Sequence, residues 1–367
     1  MTEPEPLQQV DRTFVRHHHR KLTYFSGCDY FRLASHPAVL KAAHDGLDKF
    51  GLNVSAARLT TGNHPIYPAL EKELAKFFTS PDALLLSNGY QTNLAVAQAL
   101  AGTFSHALVD ERAHSALLDA ASLLNCPVLR FKHRDTEAFA AAVARCGRGA
   151  RPVVLTDGMF SHDGSIAPLK AYLKHLPADG LILVDDAHGA GVLGKTGKGS
   201  LEAEGVGRKQ IIQCLTLSKA FGCYGGAALG PRALQEKILA RSRLFVGSTP
   251  LPLPLASAAL RAVKILRADK SLRRRLFQNS DYVKSALRHA GLQIPAAPGP
   301  IIPLHLEKAA AVATLKKNLL AAKIYPPFIQ YPGGPANGYF RFVISSEHSR
   351  AQLDNLIEVL IWSAGNF

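Results

Sequence analysis

The chain is predicted to be an α/β protein, a mainly parallel sheet between helices with a smaller α+β domain at the C-terminal end. Three observations predict it. Six short apolar runs, at 83–86, 107–109, 128–131, 153–156, 181–184 and 211–217, are separated by helix-patterned stretches such as 90–100 and 114–124, and strand alternating with helix builds a parallel sheet covered on both faces. The polar and charged candidates between positions 87 and 219 fall at the C-terminal ends of these runs, where such sheets take their ligands. A proline-rich break, Gly247-Ser-Thr-Pro-Leu-Pro-Leu-Pro254, then gives way to two long helical patterns because proline interrupts regular pairing.

Taken in order, residues 1–21 read as a polar arm with a helix near Leu7 to His18. Leu22 to Phe25 is a short strand and Ser26 to Tyr30 a turn. His36–Phe50 and Ile66–Phe78 carry helical periodicity, the second after a turn at Gly62-Asn-His-Pro65,. The alternating strands and helices follow. Beyond the proline break come helices over 255–269 and 271–289, the segment Pro300 to Leu306, a helix over 309–322, a strand over 339–345 and a last helix. The expected domains are an N-terminal arm over 1–50, a large α/β domain over 51–250 and an α+β domain over 251–367.

Composition narrows the function classes. Hydrophobic residues at 47% and charged ones at 19% describe a globular chain able to bury a large core,. The formal charge is +15, from 43 basic and 28 acidic residues. The basic residues are scattered and lack an aromatic-interleaved stripe, which argues against a nucleic-acid partner and is compatible with a polyanionic substrate. The five cysteines have no C-x-x-C or metal-ligand spacing, a pattern of reducing compartments. The acidic start is unlike a secretory leader, and no apolar run reaches the roughly 20 residues of a membrane span. A cytoplasmic chain with no membrane span and no metal is expected.

The chemistry centres on Leu215-Thr-Leu-Ser-Lys-Ala-Phe-Gly222, where Lys219 leaves a strand end among small residues. Burial there lowers a lysine pKa and frees the amine for a Schiff base. A solvated loop lysine is the ordinary alternative. What favours the first is Leu181-Ile-Leu-Val-Asp-Asp-Ala-His-Gly189, a buried strand ending in Asp185 and His188. A lysine for an aldehyde, an acid for a pyridine nitrogen and a donor for a ring oxygen are the groups that pyridoxal 5′-phosphate needs. Its phosphate would sit at Ser87-Asn-Gly-Tyr90, where a strand turns into a helix and backbone N–H groups face an anion, with Thr216 and Ser218 adding hydroxyls. His114, in Asp110-Glu-Arg-Ala-His114, is placed to stack on the ring, although on its own it reads more readily as a helix-capping or core histidine. Ser161, after the strand end at Asp157, is placed to reach the ring edge.

Two other patterns are decoys. Gly189-Ala-Gly-Val-Leu-Gly-Lys-Thr196 matches a phosphate loop literally, but Asp185-Asp-Ala-His188 intervenes after the strand and glycines follow where a helix must start,. Ser161-His162-Asp163 is no triad, because adjacent residues point different ways.

From about Tyr24 to Leu360 the chain resembles the α-oxoamine synthases, enzymes of fold type I that depend on pyridoxal phosphate. The resemblance lies in Val184-Asp-Asp-Ala-His-Gly-Ala-Gly-Val-Leu-Gly194, Thr216-Leu-Ser-Lys-Ala-Phe-Gly222, Asp110-Glu-Arg-Ala-His-Ser115 and Phe160-Ser-His-Asp-Gly164. It implies a seven-stranded sheet and the decarboxylative condensation of an amino acid with an acyl-CoA, L-alanine and a pimeloyl thioester being favoured. Lys219 would then hold the cofactor aldehyde, Asp185 the pyridine nitrogen and His188 the ring oxygen, with His114 stacked; these four are the expected catalytic residues. Gly89, Tyr90 and Thr216 would take the phosphate. The resemblance also implies a homodimer with shared sites, Ser248 or Thr249 reaching the neighbouring subunit's phosphate, and Arg341 holding the amino acid's carboxylate. Three positions depart from the family pattern: Cys28 for Asn, Tyr67 for His and Asp157 for Glu. An aminotransferase or aldolase of the same fold would share Lys219 and Asp185 but lack acyl-CoA chemistry.

Overall fold

Strands that are apolar along their whole length must be covered on both faces, and that requirement sets the layout. The computed structural model describes residues 5–330 and 337–365, so the part of the polar-arm reading that concerns residues 1–4 lies outside them. Contacts divide the chain into two compact units, one of residues 1–36, 161–165 and 271–367 and one of residues 37–160 and 166–270.

The first unit begins with β1 (Gln8–Asp11), β2 (Phe14–His17) and β3 (Arg20–Thr23), a three-stranded antiparallel sheet. This corrects the helix expected near Leu7 to His18. Gln8 pairs with Arg16 and Val15 with Leu22; Val15 is buried between a half-buried Phe14 and an exposed Arg16, and Leu22 is buried after the exposed Arg20 and Lys21. In β2 the alternation has a period of two, and short turns at Arg12-Thr13 and His18-His19 close the hairpins,.

The second unit runs through α1 (Pro37–Phe50), α2 (Ile66–Phe78), β4 (Asp82–Leu86), α3 (Gly89–Leu100), β5 (His106–Asp110), α4 (Ser115–Ser122), β6 (Val128–Phe131), α5 (Thr136–Arg145), β7 (Pro152–Asp157) and α6 (Leu169–His175). It continues with β8 (Leu181–Asp185), α7 (Ser200–Ala203), β9 (Ile211–Thr216), β10 (Gly226–Gly230), α8 (Arg232–Arg241), α9 (Arg243–Val246) and α10 (Leu253–Ala268). Its seven strands lie in the order β4-β10-β9-β8-β7-β5-β6. The pairs from β9 to β6 are parallel, and β10 runs antiparallel to both β4 and β9. Every residue of β7 and of β9 is buried. Core clusters include Val96, Leu117, Leu155 and Ile212 in one group and Leu108, Phe139, Tyr172 and Val184 in another, so the sheet is a filled layer.

The first unit resumes with α11 (Lys270–His289), β11 (Ile301–Leu304), α12 (Ala309–Ala321), β12 (Phe328–Ile329), β13 (Tyr339–Val343) and α13 (Arg350–Ala364), whose strands form an antiparallel sheet β11-β13-β12. Phe25, Leu287, Phe340, Phe342 and Leu356 share its core. The units therefore divide the chain elsewhere than at residues 50 and 250. Residues 251–270 stay with the larger unit because α10 packs on α1 and α2. Residues 1–36 join the smaller one because Thr23 donates to Lys323 O at 2.7 Å and accepts from Tyr325 N at 2.9 Å.

In the larger unit one ion pair ties a helix to the sheet. Arg58 Nη1 meets Glu71 Oε1 of α2 at 2.5 Å with the side chains only 11% and 12% exposed, and the same oxygen accepts from Leu85 N of β4 at 2.8 Å. Removing one partner of such a pair leaves a buried charge. Arg58→Leu is therefore expected to destabilise the chain by about 3–5 kcal/mol in urea unfolding; a loss under about 1 kcal/mol would show that Glu71 is neutralised by other means.

Candidate active site

Parallel strands in register bring their last residues side by side. Asp157 of β7 lies opposite Asp185 of β8, which lies opposite Cys214 of β9. Above these ends is a cavity of about 250 Å³, lined by Gly89, Tyr90, His114, Asp185, His188, Thr216 and Lys219 among others. The strand-end candidates that the sequence singles out thus converge, Ser161, Ser248, Thr249 and Arg341 excepted.

An anion cup forms one wall. Asn88 caps α3, its side chain accepting from Gln91 N at 2.9 Å, so the first N–H groups of a 12-residue helix point outward with the positive end of its dipole,. Thr216 packs so closely on the helix start that a Cβ at Gly89 would lie 2.7 Å from Thr216 Cβ; glycine is what lets strand and helix meet. The hydroxyls of Thr216 and Ser218 bond each other at 2.8 Å beside it. Tyr90 is 41% exposed, and its phenol bonds the Asp119 carboxylate of α4.

His114 is held at two points. Its backbone N–H donates to Asp157 Oδ2 at 2.8 Å, and its own Nδ1 accepts from Ala116 N at 3.2 Å as the cap of α4. Burial lowers the imidazole pKa, the Asp185 charge opposing and Lys219 reinforcing the shift. A neutral ring with Nδ1 occupied is a flat surface suited to stacking. Asp157, 4% exposed, is pushed well above the usual carboxyl range by burial and then by the Asp185 charge.

Asp185 and Asp186 are adjacent but face different partners. Asp185 Oδ2 accepts from Asn93 Nδ2 at 2.7 Å and Oδ1 from Ala187 N at 3.0 Å, and Asp185 lines the cavity with the buried His188. Asp186 Oδ2 accepts from Ser200 N at 2.9 Å and from Gln213 Nε2 at 2.6 Å. Gly158, Gly189 and Gly199 wrap this second carboxyl: a Cβ on any of them would lie within 2.3 Å of one of its oxygens.

The literal phosphate loop is already filled. Glu202 of α7 accepts from Thr196 N at 3.1 Å, Thr196 Oγ1 at 2.8 Å and Lys198 N at 3.0 Å. A carboxylate of the chain itself thus occupies the backbone donors that would cradle a phosphate, and the next helix starts only at Ser200.

Ser161 and Arg341 belong to the other unit. There Arg341 Nη1 donates to Ser161 O at 3.2 Å, its side chain bonds the Tyr339 phenol, and its Nε is buried with no hydrogen-bond partner among the described residues. Pairing with Glu347 is ruled out, because the Glu347 oxygens are taken by Arg12 at 2.6 Å and Arg275 at 2.8 Å. Ser248 and Thr249 do not line the cavity: Ser248 Oγ bonds Leu244 O, and Thr249 O accepts from Ser87 Oγ at 3.4 Å. Tyr67 donates to Leu251 O at 2.7 Å and with Arg58 lines a small pocket of about 20 Å³. Sequence reading missed Asn93, whose only signal is its place one turn after Gly89.

The donor set fits pyridoxal 5′-phosphate: an anion cup, a carboxylate already held by donors, an imidazole and a lysine line one cavity. Site and mixed seven-stranded sheet together define a pyridoxal-phosphate-dependent enzyme of fold type I. The chain belongs to the aminotransferase class I and II family, whose profile matches residues 25–360. It is 37% identical over 344 residues to the 8-amino-7-oxononanoate synthase of Thioalkalivibrio sulfidiphilus, covering 93% of this chain and 88% of the relative. The enzyme of that name from Methylococcus capsulatus is 37% identical, with 92% and 87% covered. Among solved structures, a Sphingomonas wittichii serine palmitoyltransferase superposes with a TM-score of 0.92 at 27% identity, covering 100% of this chain and 93% of that one. An 8-amino-7-oxononanoate synthase from Francisella tularensis superposes with 0.81 at 27% identity, covering 94% and 98%. The likeness to α-oxoamine synthases read from the motifs is borne out.

Burial pushes the Asp186 pKa up to about 7 from its ordinary 3.8. Between those values the folded chain binds a proton that the unfolded chain has lost, so stability falls as pH rises through the window, by at most about 1.4 kcal/mol per unit. Asp186→Asn removes the titration, and urea unfolding between pH 4.5 and 7 is expected to show a flatter pH dependence than wild type. An identical slope in both proteins would place the Asp186 proton outside that range.

Proposed function

We propose that this chain is an acyltransferase that condenses L-alanine with a pimeloyl thioester, releasing coenzyme A and carbon dioxide, the activity of an 8-amino-7-oxononanoate synthase. The observation that carries the reading is the meeting of Lys219, Asp185, His188 and His114 with a helix-start anion cup in one cavity. The relatives at 37% identity supply the substrate choice. The serine palmitoyltransferase likeness, at 27% identity, supports the same chemistry on other substrates as the second reading.

The side chains divide the work. The N–H groups at Gly89 and Tyr90 and the Thr216 hydroxyl would hold the cofactor's phosphate. Asp185 would take the pyridine nitrogen's hydrogen bond, His188 would donate to the ring oxygen, and His114 would cover the ring face. When bound, pyridoxal phosphate supplies a conjugated ring that spreads the charge left on the amino acid's α-carbon. Lys219 would hold the cofactor's aldehyde through Nζ, and the same Nζ would serve as the general base for the α-proton. Ser161 would reach the ring edge, and the Arg341 fork would take the α-carboxylate by two parallel hydrogen bonds. The working form is a cytoplasmic homodimer in which Ser248 or Thr249 reaches the other subunit's phosphate.

Assaying alanine, glycine and serine against acetyl-, succinyl-, pimeloyl- and palmitoyl-CoA is expected to give the fastest coenzyme A release with alanine and the pimeloyl thioester. Preference for serine and palmitoyl-CoA would select the second reading, and no release with any pair would remove acyl transfer. Lys219→Ala is expected to abolish both turnover and the yellow colour of the loaded protein. Arg341→Ala should leave that colour intact while weakening alanine binding by about 2–4 kcal/mol, with Arg341→Lys recovering only part; unchanged alanine titration would assign the carboxylate to another residue.

A further inference from the structure

We propose that Asn93 is the positioning residue for Asp185, tying the carboxylate that faces the cofactor nitrogen to the helix that cups the phosphate. The inference rests on the cofactor reading above and goes beyond it by naming what aims the acid.

Asn93 is fully buried on α3, one turn after Gly89. Its Nδ2 donates to Asp185 Oδ2 at 2.7 Å and to Gly89 O at 3.4 Å. Both partners are acceptors, so the amide nitrogen and not its oxygen must face them. The Oδ1 on the other side is buried without a hydrogen-bond partner among the described residues. Its helix neighbours Ala95, Val96, Ala97 and Ala99 are buried apolar residues, and leucine, with the same branched shape, would leave no such acceptor stranded. Packing alone therefore disfavours asparagine here; the donated hydrogen bond offsets the loss.

That bond has a task. Asp185 is the last residue of β8 and lines the cavity, so the direction its carboxyl faces depends on the donors around it. A donor on Oδ2, with Ala187 N on Oδ1, fixes the plane of the group. One amide thereby couples the position of the phosphate cup to that of the acid.

A double-mutant cycle tests this. Apo-protein is titrated with pyridoxal phosphate and followed by visible absorbance, in the wild-type and Asp185→Ala backgrounds. Asn93→Leu is expected to weaken the cofactor about tenfold in the first and less than twofold in the second, because its effect passes through Asp185. Melting of the apo-proteins checks the fold, and Asn93→Ala serves in the same cycle if the leucine variant does not fold. Equal losses in both backgrounds, or no loss in the first, would overturn the inference and leave the cofactor reading standing. A wild-type chain that gives no visible band with pyridoxal phosphate would overturn the cofactor reading and this inference with it.

Discussion

An acid at the end of a buried strand keeps one orientation only if donors fix its plane, and in the larger unit α3 and the turn after β8 supply those donors to Asp185. Burial alone drives a carboxyl toward its neutral form, as it does at Asp157 and Asp186, both raised. At Asp185 both oxygens are held, Asn93 and the Ala187 N–H each giving it a hydrogen bond. The donor on α3 requires that helix to begin where it does. The helix start in turn requires Gly89 against Thr216, since any side chain there would force α3 away from β9.

Three carboxyls in close succession thus acquire three roles from their surroundings. Asp157 turns to the backbone of His114 and holds that ring's helix in place. Asp186 turns to Ser200 and Gln213 and closes the loop after β8 around itself, with glycines where side chains would collide. The same loop carries the literal phosphate-binding pattern, whose donors Glu202 fills. A short motif describes residue types, whereas binding depends on whether the donors are still free.

The parallel sheet was legible because burial on both faces leaves a signature in the chain: runs such as Val153–Thr156 and Leu181–Val184 are apolar at every residue bar the last of the first, and helices lie between them. The N-terminal hairpins were not. Leu7 to His18 holds few apolar residues, and Val15 alone marks its inner face, too little to separate a period of two from one of 3.6. Lys219, Asp185, His188 and His114 were legible as strand ends and helix starts. Asn93 was hidden inside a helix, where an asparagine looks like any polar residue until its partner, 92 positions away, is seen beside it.

By itself the sequence determined the strand-and-helix alternation, the identity of the lysine, acid and imidazoles, and the family, because these depend on local periodicity and residue chemistry. Only the tertiary structure decided which of two consecutive aspartates lines the cavity, that Glu347 is engaged by Arg12 and Arg275 rather than Arg341, and that the first 36 residues belong with the last 97. Those outcomes rest on strand register and on partners distant in the chain. Hydrogen bonds and ion pairs act over about 3–4 Å of space, a separation that no spacing along the sequence encodes.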